Sequence, residues 1–264
     1  MKFTKMHGIG NDYIYCYDME GQDFQKLAKT LSPRHTGVGS DGIIHLYHDK
    51  EQGDFVMEMY NADGSQGAMC GNGIRCAGKF LYEEGYTQKK NLEIITAAGS
   101  RQISLHVTPE NQVTQVTVAM GIPCDYTPYC LPIQGHTIKG TYVSMGNPHF
   151  VVMCPDPMEI PLEIWGRELE THEVFAPDGV NVEFYTPTEE GFFMRVWERG
   201  SGETLACGTG ACACFAVGQK EGTLDQGATK ARLLGGTLDL WEEEGEIMMK
   251  GEAVTVFHGE IPDV

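Results

Sequence analysis

Apolar residues recur at helical spacing after two cysteines that are separated by about half the chain. The first series follows Cys70 and the second follows Cys207; their members are Ile74, Ala77, Gly78 and Leu81, and Ala211, Cys214, Phe215 and Gly218. Residues spaced in this way lie on one face of an α-helix. A Glu-Gly pair follows each series, and glycine is the usual residue just past a helix end. The pattern therefore predicts two helices, each beginning at a cysteine.

Strand-like runs precede both helices in matching register. Residues 55–61 align with residues 192–198, and both runs are apolar and aromatic. Farther upstream, residues 41–43 align with residues 178–180. A joint register over roughly a hundred residues predicts a repeated unit. We therefore predict an α/β (α+β) fold of two pseudo-symmetric domains with similar topology, each with strands, a loop, a cysteine and a helix packed on the sheet.

The boundary between the domains is predicted near the turn-like cluster at residues 108–111, which separates two strand-like runs. The last segment has the character of one more strand, and we expect it to return to the first domain. The predicted N-terminal domain is residues 1–112 plus 252–264. The predicted C-terminal domain is residues 113–251.

Charge and cysteine content narrow the class of protein. The chain has 264 residues, a formal net charge of -18 and 9 cysteines. An acidic surface repels phosphate backbones and anionic lipids, so nucleic acid and membranes are poor partners. The N-terminus lacks the apolar core of a signal peptide, and no run of about 18 apolar residues is present. An odd number of cysteines in a chain of this size favours free thiols in a reducing compartment.

The two cysteine loops share a pattern that favours anions. Met69-Cys70-Gly71-Asn72-Gly73 and Ala206-Cys207-Gly208-Thr209-Gly210 each place a cysteine at a helix start, followed by Gly-x-Gly. The first backbone N–H groups of a helix have no intrahelical partner, and the helix dipole favours negative charge there. We therefore expect each thiol to have a lowered pKa. The glycines allow a carboxylate to approach the backbone.

A pair of equivalent cysteines suits inversion of a stereocentre. A base removes a proton from one face of the carbon while an acid delivers one to the other face. The N–H groups would stabilise charge that develops on the substrate. We therefore predict that Cys70 and Cys207 form a thiolate/thiol pair. The other cysteines are assigned to packing, the usual role of a free cysteine; they are Cys16, Cys76, Cys124, Cys130, Cys154, Cys212 and Cys214.

Four stretches of the chain resemble the diaminopimelate epimerase family. They are KMHGIGNDY at residues 5–13, MCGNGIRC at 69–76, GNPH at 146–149 and ERGSGETLACGTGA at 198–211. The resemblance implies interconversion of LL- and meso-2,6-diaminopimelate in lysine and peptidoglycan synthesis, without pyridoxal phosphate, metal or any other cofactor. It implies a bacterial cytoplasm, a small amino acid as the partner, and leaves a homodimer open. It also implies that each domain is a curved mixed β-sheet around a central helix, with the active site in the interdomain cleft.

The resemblance further implies roles for individual residues. Cys70 and Cys207 are the acid–base pair. The N–H groups that would hold the carboxylate at the reacting carbon belong to Gly71, Asn72, Gly208 and Thr209. Its ammonium group would be held by Glu198 and the main chain of Arg199. The distal amino acid would be bound by Asn61, Asn147, Asn181 and the Arg199 guanidinium. Asn11 lines the site, and His149 helps to order one cysteine loop.

Two positions qualify this assignment. Asn61 and Glu198 occupy equivalent places before the two cysteines but differ in charge. The symmetry of the repeat is therefore broken where an asymmetric substrate must be recognised. Some family members carry glutamine where this chain has Gly42, so Gly42 is left out of the expected site.

Three other interpretations remain open at this stage. A racemase for proline, hydroxyproline or histidine would share the mechanism but would not need the distal set. A dinucleotide-binding domain is suggested by residues 208–213, which fit G-x-G-x-x-A, although a polar loop rather than a strand precedes them. A metal site would need more than Cys212 and Cys214 or the isolated pair His45 and His48. Incubation with LL-diaminopimelate in deuterium oxide would distinguish a racemase for another amino acid. Cofactor absorbance after purification would indicate a dinucleotide-binding domain.

Overall fold

The computed structural model describes residues 1–19, 21–49 and 54–262. Its α-helices are α1 (Phe24–Leu31), α2 (Gly71–Glu83), α3 (Leu162–Glu170) and α4 (Gly208–Glu221), with 3-10 turns at Pro157–Glu159 and Glu173–Phe175. The strands up to the middle of the chain are β1 (Lys2–Gly8), β2 (Asn11–Tyr17), β3 (Gly42–Asp49), β4 (Asp54–Asn61), β5 (Gln66–Gly67), β6 (Asn91–Thr96), β7 (Gly99–Val107) and β8 (Val113–Ala119). The later strands are β9 (Cys124–Ile133), β10 (His136–Ser144), β11 (Pro148–Met153), β12 (Asn181–Thr188), β13 (Gly191–Glu198), β14 (Gly202–Thr204), β15 (Thr229–Leu233), β16 (Gly236–Glu243), β17 (Glu246–Glu252) and β18 (Val254–Glu260).

The chain forms two compact units, Met1–Ala119 with Lys250–Val264, and Met120–Met249. The sequence placed the boundary at residue 112, after the turn at residues 108–111. That turn instead joins β7 to β8, which pair antiparallel, so β8 belongs to the first unit. Asp263 and Val264, the end of the expected N-terminal domain, lie outside the described residues.

The sheet of the first unit runs in the order β18-β1-β2-β3-β4-β6-β7-β8. β1 pairs antiparallel with both β18 and β2, β2 is parallel to β3, and β3 is antiparallel to β4. β4 then pairs antiparallel with the short β5 and parallel with β6, and β6 is antiparallel to β7. Because α2 packs against β1, β2 and β3 as well as β7 and β8, the sheet curves around that helix.

The second unit repeats this arrangement. β10 pairs antiparallel with β9 and β11, β11 is parallel to β12, and β12 is antiparallel to β13. β13 pairs antiparallel with the short β14 and parallel with β15, and β15 is antiparallel to β16. The helix α4 packs against β10, β11 and β12 and against β15 and β16. This pairing scheme confirms the predicted fold class of two similar α+β domains.

The central helices begin where the spacing of apolar residues predicts. Cys70 and Cys207 are the N-caps of α2 and α4, in extended backbone conformation. At the end of α4, Gly222 adopts a φ of 72°, the left-handed conformation that favours glycine. Close packing around α2 is visible at Gly78, where a Cβ would lie 2.4 Å from the Ile103 Cδ1 of β7.

Among the described helices, none is long and apolar enough to cross a membrane.

Candidate active site

Cys70 caps α2 with its own side chain. Its backbone has φ −132° and ψ 118°, and its sulfur accepts the N–H of Gly73 at 3.3 Å. The first intrahelical bond joins the Ile74 N–H to the Cys70 carbonyl. The amides before Ile74, those of Gly71 and Asn72 included, therefore belong to the open end of the helix. The thiol itself is partly exposed.

Asn11 lies directly against Cys70. The thiol donates to the Asn11 Oδ1 at 3.1 Å, and the side-chain amide of Asn72 donates to the same oxygen at 3.4 Å. On its other side, the Asn11 Nδ2 donates to the Asp41 Oδ2 at 2.7 Å. The first unit thus brings together three of the expected residues, Cys70, Asn11 and Asn72, and adds Asp41.

Cys207 caps α4 in the same way. Its φ and ψ are −117° and 109°, and its sulfur accepts the N–H of Gly210 at 3.3 Å. The hydroxyl of Thr209 lies 3.5 Å from the sulfur. The first intrahelical bond joins the Ala211 N–H to the Cys207 carbonyl, so the amides of Gly208 and Thr209 lie at the helix start. This thiol is more deeply buried than Cys70, with 6% of its surface exposed.

The expectation of a lowered thiol pKa is wrong for Cys207. Burial raises its pKa well above the ordinary value, and the carboxylates of Glu198 and Glu183 raise it further. Hydrogen bonds from Thr209 and the Gly210 amide lower the pKa but do not offset these effects. A helix start therefore does not by itself make this sulfur a thiolate, because desolvation and two nearby negative charges oppose ionisation.

Glu198 ends β13 beside Cys207. Its carboxylate accepts a short hydrogen bond from the Thr204 hydroxyl of β14. Burial raises the pKa of Glu198, and the charge of Glu183 raises it further, although Thr204 and Cys207 act in the opposite direction. A cation beside Glu198 would therefore stabilise the ionised form of its carboxylate.

His149 links a buried carboxylate to the cysteine loop of the second unit. Its Nδ1 lies 2.7 Å from the Glu183 Oε1, and its Nε2 lies 3.1 Å from the Asn147 Oδ1. The Nδ2 of Asn147 donates to the Thr209 Oγ1 at 3.3 Å. These contacts agree with the expected position of His149 beside one cysteine loop.

Glu183 is a residue of this site that the sequence patterns do not indicate. Its side chain is fully buried on β12, and its Oε2 has no hydrogen-bond partner among the described residues. A Cβ on Gly210 would lie 2.6 Å from its Oε1, so the carboxylate lies against the start of α4. The available signal was a single acidic residue between Val182 and Phe184 in an otherwise apolar strand.

Two of the expected distal-end residues, Asn181 and Arg199, are held by backbone contacts. The Arg199 N–H donates to the Asn181 Oδ1 at 3.0 Å, and the Asn181 Nδ2 donates to the Pro148 carbonyl at 2.8 Å. The Arg199 guanidinium donates to the Asp178 carbonyl at 2.7 Å. Asn61 lies in the first unit, where its Nδ2 donates to the Ser65 hydroxyl at 3.0 Å.

Gly42 has a structural reason to be glycine in this chain. It pairs with Asn61 across β3 and β4, and a Cβ on Gly42 would lie 2.1 Å from the Tyr60 carbonyl oxygen. The backbone of β4 therefore occupies the space that a side chain would need.

Within residues 1–19, 21–49 and 54–262, no group of three or more His, Cys, Asp or Glu side chains is placed to hold a metal ion.

Comparison with solved structures identifies proteins of the same fold. A probable proline racemase from Agrobacterium radiobacter superposes with a TM-score of 0.76 at 15% identity, covering 98% of this chain and 92% of that one. At this identity the likeness establishes the fold alone.

Sequence comparison is more specific. The family profile described as diaminopimelate epimerase matches residues 3–124 and 141–256. A diaminopimelate epimerase from Acetivibrio thermocellus is 42% identical over 280 residues, with 99% of this chain and 98% of that protein covered. Another from Bacteroides thetaiotaomicron is 44% identical over 270 residues, with 99% and 98% covered.

The two-domain fold and its pair of helix-capping cysteines, together with these relatives, define an isomerase of the epimerase class. The chain belongs to the diaminopimelate epimerase family.

Proposed function

We propose that this chain interconverts LL- and meso-2,6-diaminopimelate by proton transfer between one α-carbon and the thiols of Cys70 and Cys207. The observation that carries the proposal is the equivalence of the two cysteines. Each caps the central helix of its own unit and accepts the N–H of the third residue after it. Family membership identifies the substrate of the relatives.

The proposed step is a two-base inversion without a cofactor. The thiolate of one cysteine takes the α-proton, and the electron pair stays on the carbon as a carbanion stabilised by the adjacent carboxylate. The thiol of the other cysteine donates its proton to the opposite face. The product carries the inverted centre, and the two sulfurs have exchanged protonation states. No group is oxidised or reduced.

The helix starts support binding of the substrate carboxylate at the reacting carbon. The N–H groups of Gly71, Asn72, Gly208 and Thr209 are the proposed donors. They lie at the positive ends of α2 and α4, where negative charge is stabilised. Charge that builds on the carboxylate during carbanion formation is therefore stabilised most in the transition state.

Glu198 supports binding of the substrate ammonium and, with it, activation of Cys207. The negative charge of Glu198 is one of the causes that raise the pKa of Cys207. A bound ammonium group beside Glu198 offsets that charge, so thiolate at Cys207 becomes more accessible when substrate is present. In the substrate-free protein the same charge keeps the sulfur protonated and less reactive.

The far end of the substrate is proposed to contact Asn61, Asn147, Asn181 and Arg199. Arg199 offers a planar set of donors suited to a carboxylate. Its main-chain contact with Asn181 fixes both residues relative to β12. Such fixed polar groups favour one configuration at the distal centre, since a wrong configuration leaves buried polar groups unpaired.

We propose a cytoplasmic location, because the nine cysteines are all free thiols in the structure and free thiols are typical of a reducing compartment. The only partner that the proposal requires is the amino-acid substrate; it makes no use of nucleic acid or membrane and leaves a homodimer open.

The test is exchange of the α-proton in deuterium oxide. LL-diaminopimelate should yield the meso product with deuterium at the inverted carbon, observed by NMR and mass spectrometry. Cys70→Ala and Cys207→Ala should each lose epimerisation by about 10²–10⁴-fold. Each variant should retain deuterium exchange on at most one of the two stereoisomers, because only one face of the carbon still has a base.

The matched control is Cys124→Ala, which removes an exposed thiol that caps no helix. It should epimerise like the parent. Full epimerisation by either single variant at a helix cap would refute the catalytic assignment. Exchange of proline but not of diaminopimelate would identify a related racemase instead.

A further inference from the structure

Asn11 has contacts on both ends of its side-chain amide. Its Oδ1 receives the Cys70 thiol at 3.1 Å and the Asn72 Nδ2 at 3.4 Å. Its Nδ2 donates to the Asp41 Oδ2 at 2.7 Å. An asparagine amide can in principle face either way, so its neighbours decide which atom meets the sulfur.

Asp41 decides the orientation of Asn11 from one side. The Asp41 Oδ2 also receives the backbone N–H of Asp12 at 3.0 Å, and the Oδ1 receives the Arg34 guanidinium at 2.8 Å. An ionised carboxylate only accepts hydrogen bonds. The amide nitrogen of Asn11 therefore points to Asp41, and the carbonyl oxygen points to Cys70.

Arg75 decides the orientation of Asn72 from the other side. It is fully buried on α2, and its guanidinium donates to the Asn72 Oδ1 at 2.9 Å and to the Gly71 carbonyl at 3.0 Å. A guanidinium only donates. The amide nitrogen of Asn72 is thereby left to donate to Asn11.

From this chain of contacts we infer that Asp41 and Arg75 are positioning residues, which fix the amides of Asn11 and Asn72 so that Asn11 presents a carbonyl oxygen, and not an N–H, to the Cys70 sulfur. The network ends in a group that can only accept and in a group that can only donate. Reversal of either amide would place two donors or two acceptors against each other. The inference rests on the proposed function of Cys70.

The consequence for Cys70 is a preference for the thiol. A thiol can donate to the Asn11 oxygen, whereas a thiolate would face that oxygen's lone pairs at 3.1 Å. The Gly73 N–H stabilises the thiolate in turn. The orientation of the Asn11 amide thus contributes to the balance at this sulfur and favours the thiol form of Cys70.

Other titratable groups face Cys70 from neighbouring elements and must be distinguished from Asn11. Tyr13 on β2 hydrogen-bonds to both Cys70 and Asn11. Tyr15 on β2 and Cys76 on α2 interact electrostatically with Cys70, and burial is the first cause of the raised pKa of all three groups. They remain uncharged near neutral pH. Asp41 and Asp12 are the nearby carboxylates, and Lys5, Arg34 and Arg75 are the nearby cations.

The test is the pH dependence of alkylation at Cys70. Asp41→Asn replaces a pure acceptor beside Asn11, which removes one of the two restraints on its amide; only the weaker 3.4 Å contact with Asn72 then opposes reversal, so a fraction of molecules can offer the Asn11 N–H to the sulfur. The midpoint for iodoacetamide modification of the Cys70 peptide, followed by mass spectrometry, should move to lower pH. A shift of one pH unit raises the rate below the midpoint by about tenfold. The measurement needs no turnover, so it stands even if the chain does not epimerise diaminopimelate.

The matched control is Asp12→Asn, which removes the same charge nearby. The Asp12 carboxylate pairs with Lys5 and Arg34. Asp12 contacts Asp41 through its backbone N–H, which the substitution leaves in place. Its shift should be clearly smaller than that of Asp41→Asn. Asp41→Glu, which keeps a carboxylate, should restore the parent midpoint. Equal shifts in the two asparagine variants, or no shift in Asp41→Asn, would overturn the inference.

A measurement on the unaltered chain covers the case in which Asp41→Asn does not fold. The infrared S–H band of a thiol moves to lower frequency when the thiol donates a hydrogen bond. The difference spectrum between the parent and Cys70→Ser at neutral pH should contain such a lowered band. A band at the unbonded frequency, or none, would contradict the inferred orientation of Asn11.

Discussion

Individual neighbours of Cys207 change the pKa of its thiol in opposite directions. Glu183 and Glu198 raise the pKa of its thiol, while the Thr209 hydroxyl and the Gly210 amide lower it. Cys70 instead donates to a neutral amide oxygen. Two cysteines that occupy equivalent positions in the repeat are therefore held in different electrostatic surroundings.

Glu183→Gln should lower the pKa of Cys207. The substitution removes a buried negative charge and preserves the shape of the side chain, so the thiolate is penalised less. The thiolate absorbance that is lost in Cys207→Ser should develop at lower pH in Glu183→Gln than in the parent. Glu190→Gln is the control, because it removes the same charge from a side chain that is 78% exposed, where solvent and salt screen it. It should leave the titration of Cys207 unchanged. An unchanged titration in Glu183→Gln would show that this carboxylate does not act on the sulfur.

The sequence identified the two cysteines but not the groups that set their pKa. Both lie in Gly-x-Gly loops at helix starts, which is a local pattern. Glu183 and its partner His149 are 34 residues apart in the chain and meet only because β11 and β12 are parallel neighbours. No spacing rule connects them, and the desolvation that dominates at Cys207 depends on burial that a sequence pattern does not measure.

At the scale of elements, each unit is organised around one helix. α2 packs against strands from both halves of its sheet, so there is little space between the helix and the strands for larger side chains. Gly78 allows that approach, since β7 lies directly against it. The sequence predicted the start and end of this helix, because capping and termination are local, whereas it did not predict which strand would cover Gly78.

Gly78→Ala should destabilise the protein although alanine is the better helix former. The gain in helix propensity is about 1 kcal/mol, whereas overpacking a core costs about 1–3 kcal/mol. The clash involves the Ile103 Cδ1 at 2.4 Å, and Ile103→Val removes that atom. Urea denaturation followed by circular dichroism should give a lower midpoint for Gly78→Ala. The double variant should be more stable than the two single effects predict, with a coupling of about 1 kcal/mol. Additive effects would place the strain elsewhere.

The turn at residues 108–111 illustrates the limit of element prediction. Its residue types predict a boundary between two domains, but Asn111 with a φ of 62° closes a hairpin between β7 and β8. Hairpin turns and interdomain linkers use the same residue types, because both need sharp, solvated backbone. Only the pairing of β8 with β7 distinguishes them.

At the scale of the whole molecule, the last strand of the chain supplies the first position of the repeated sheet. β18 flanks β1 in the first unit as β9 flanks β10 in the second. The chain ends of the first unit are consequently close, since Met1 and Ile261 exchange backbone hydrogen bonds. The sequence indicated the repeat and a final strand, but the pairing of residues so far apart requires the folded sheet.

A circular permutant should test this organisation. Joining residue 262 to Met1 by a short glycine-rich linker and opening the chain in the exposed turn at residues 108–111 keeps every strand in place. It should fold and epimerise with a kcat/KM within about tenfold of the parent, because termini at exposed turns are tolerated. Opening the chain between Ile14 and Tyr15, inside β2, is the control and should abolish folding. Loss of folding in the first permutant would argue against the closeness of the ends.

The late arrival of β18 also has a consequence for the order in which the protein matures on the ribosome. The second unit is encoded without interruption, so its residues are all synthesised before β18. The first unit, although translated earlier, keeps one edge of β1 without its partner until residues 254–260 emerge from the exit tunnel. The half that is synthesised first is therefore the half that is finished last.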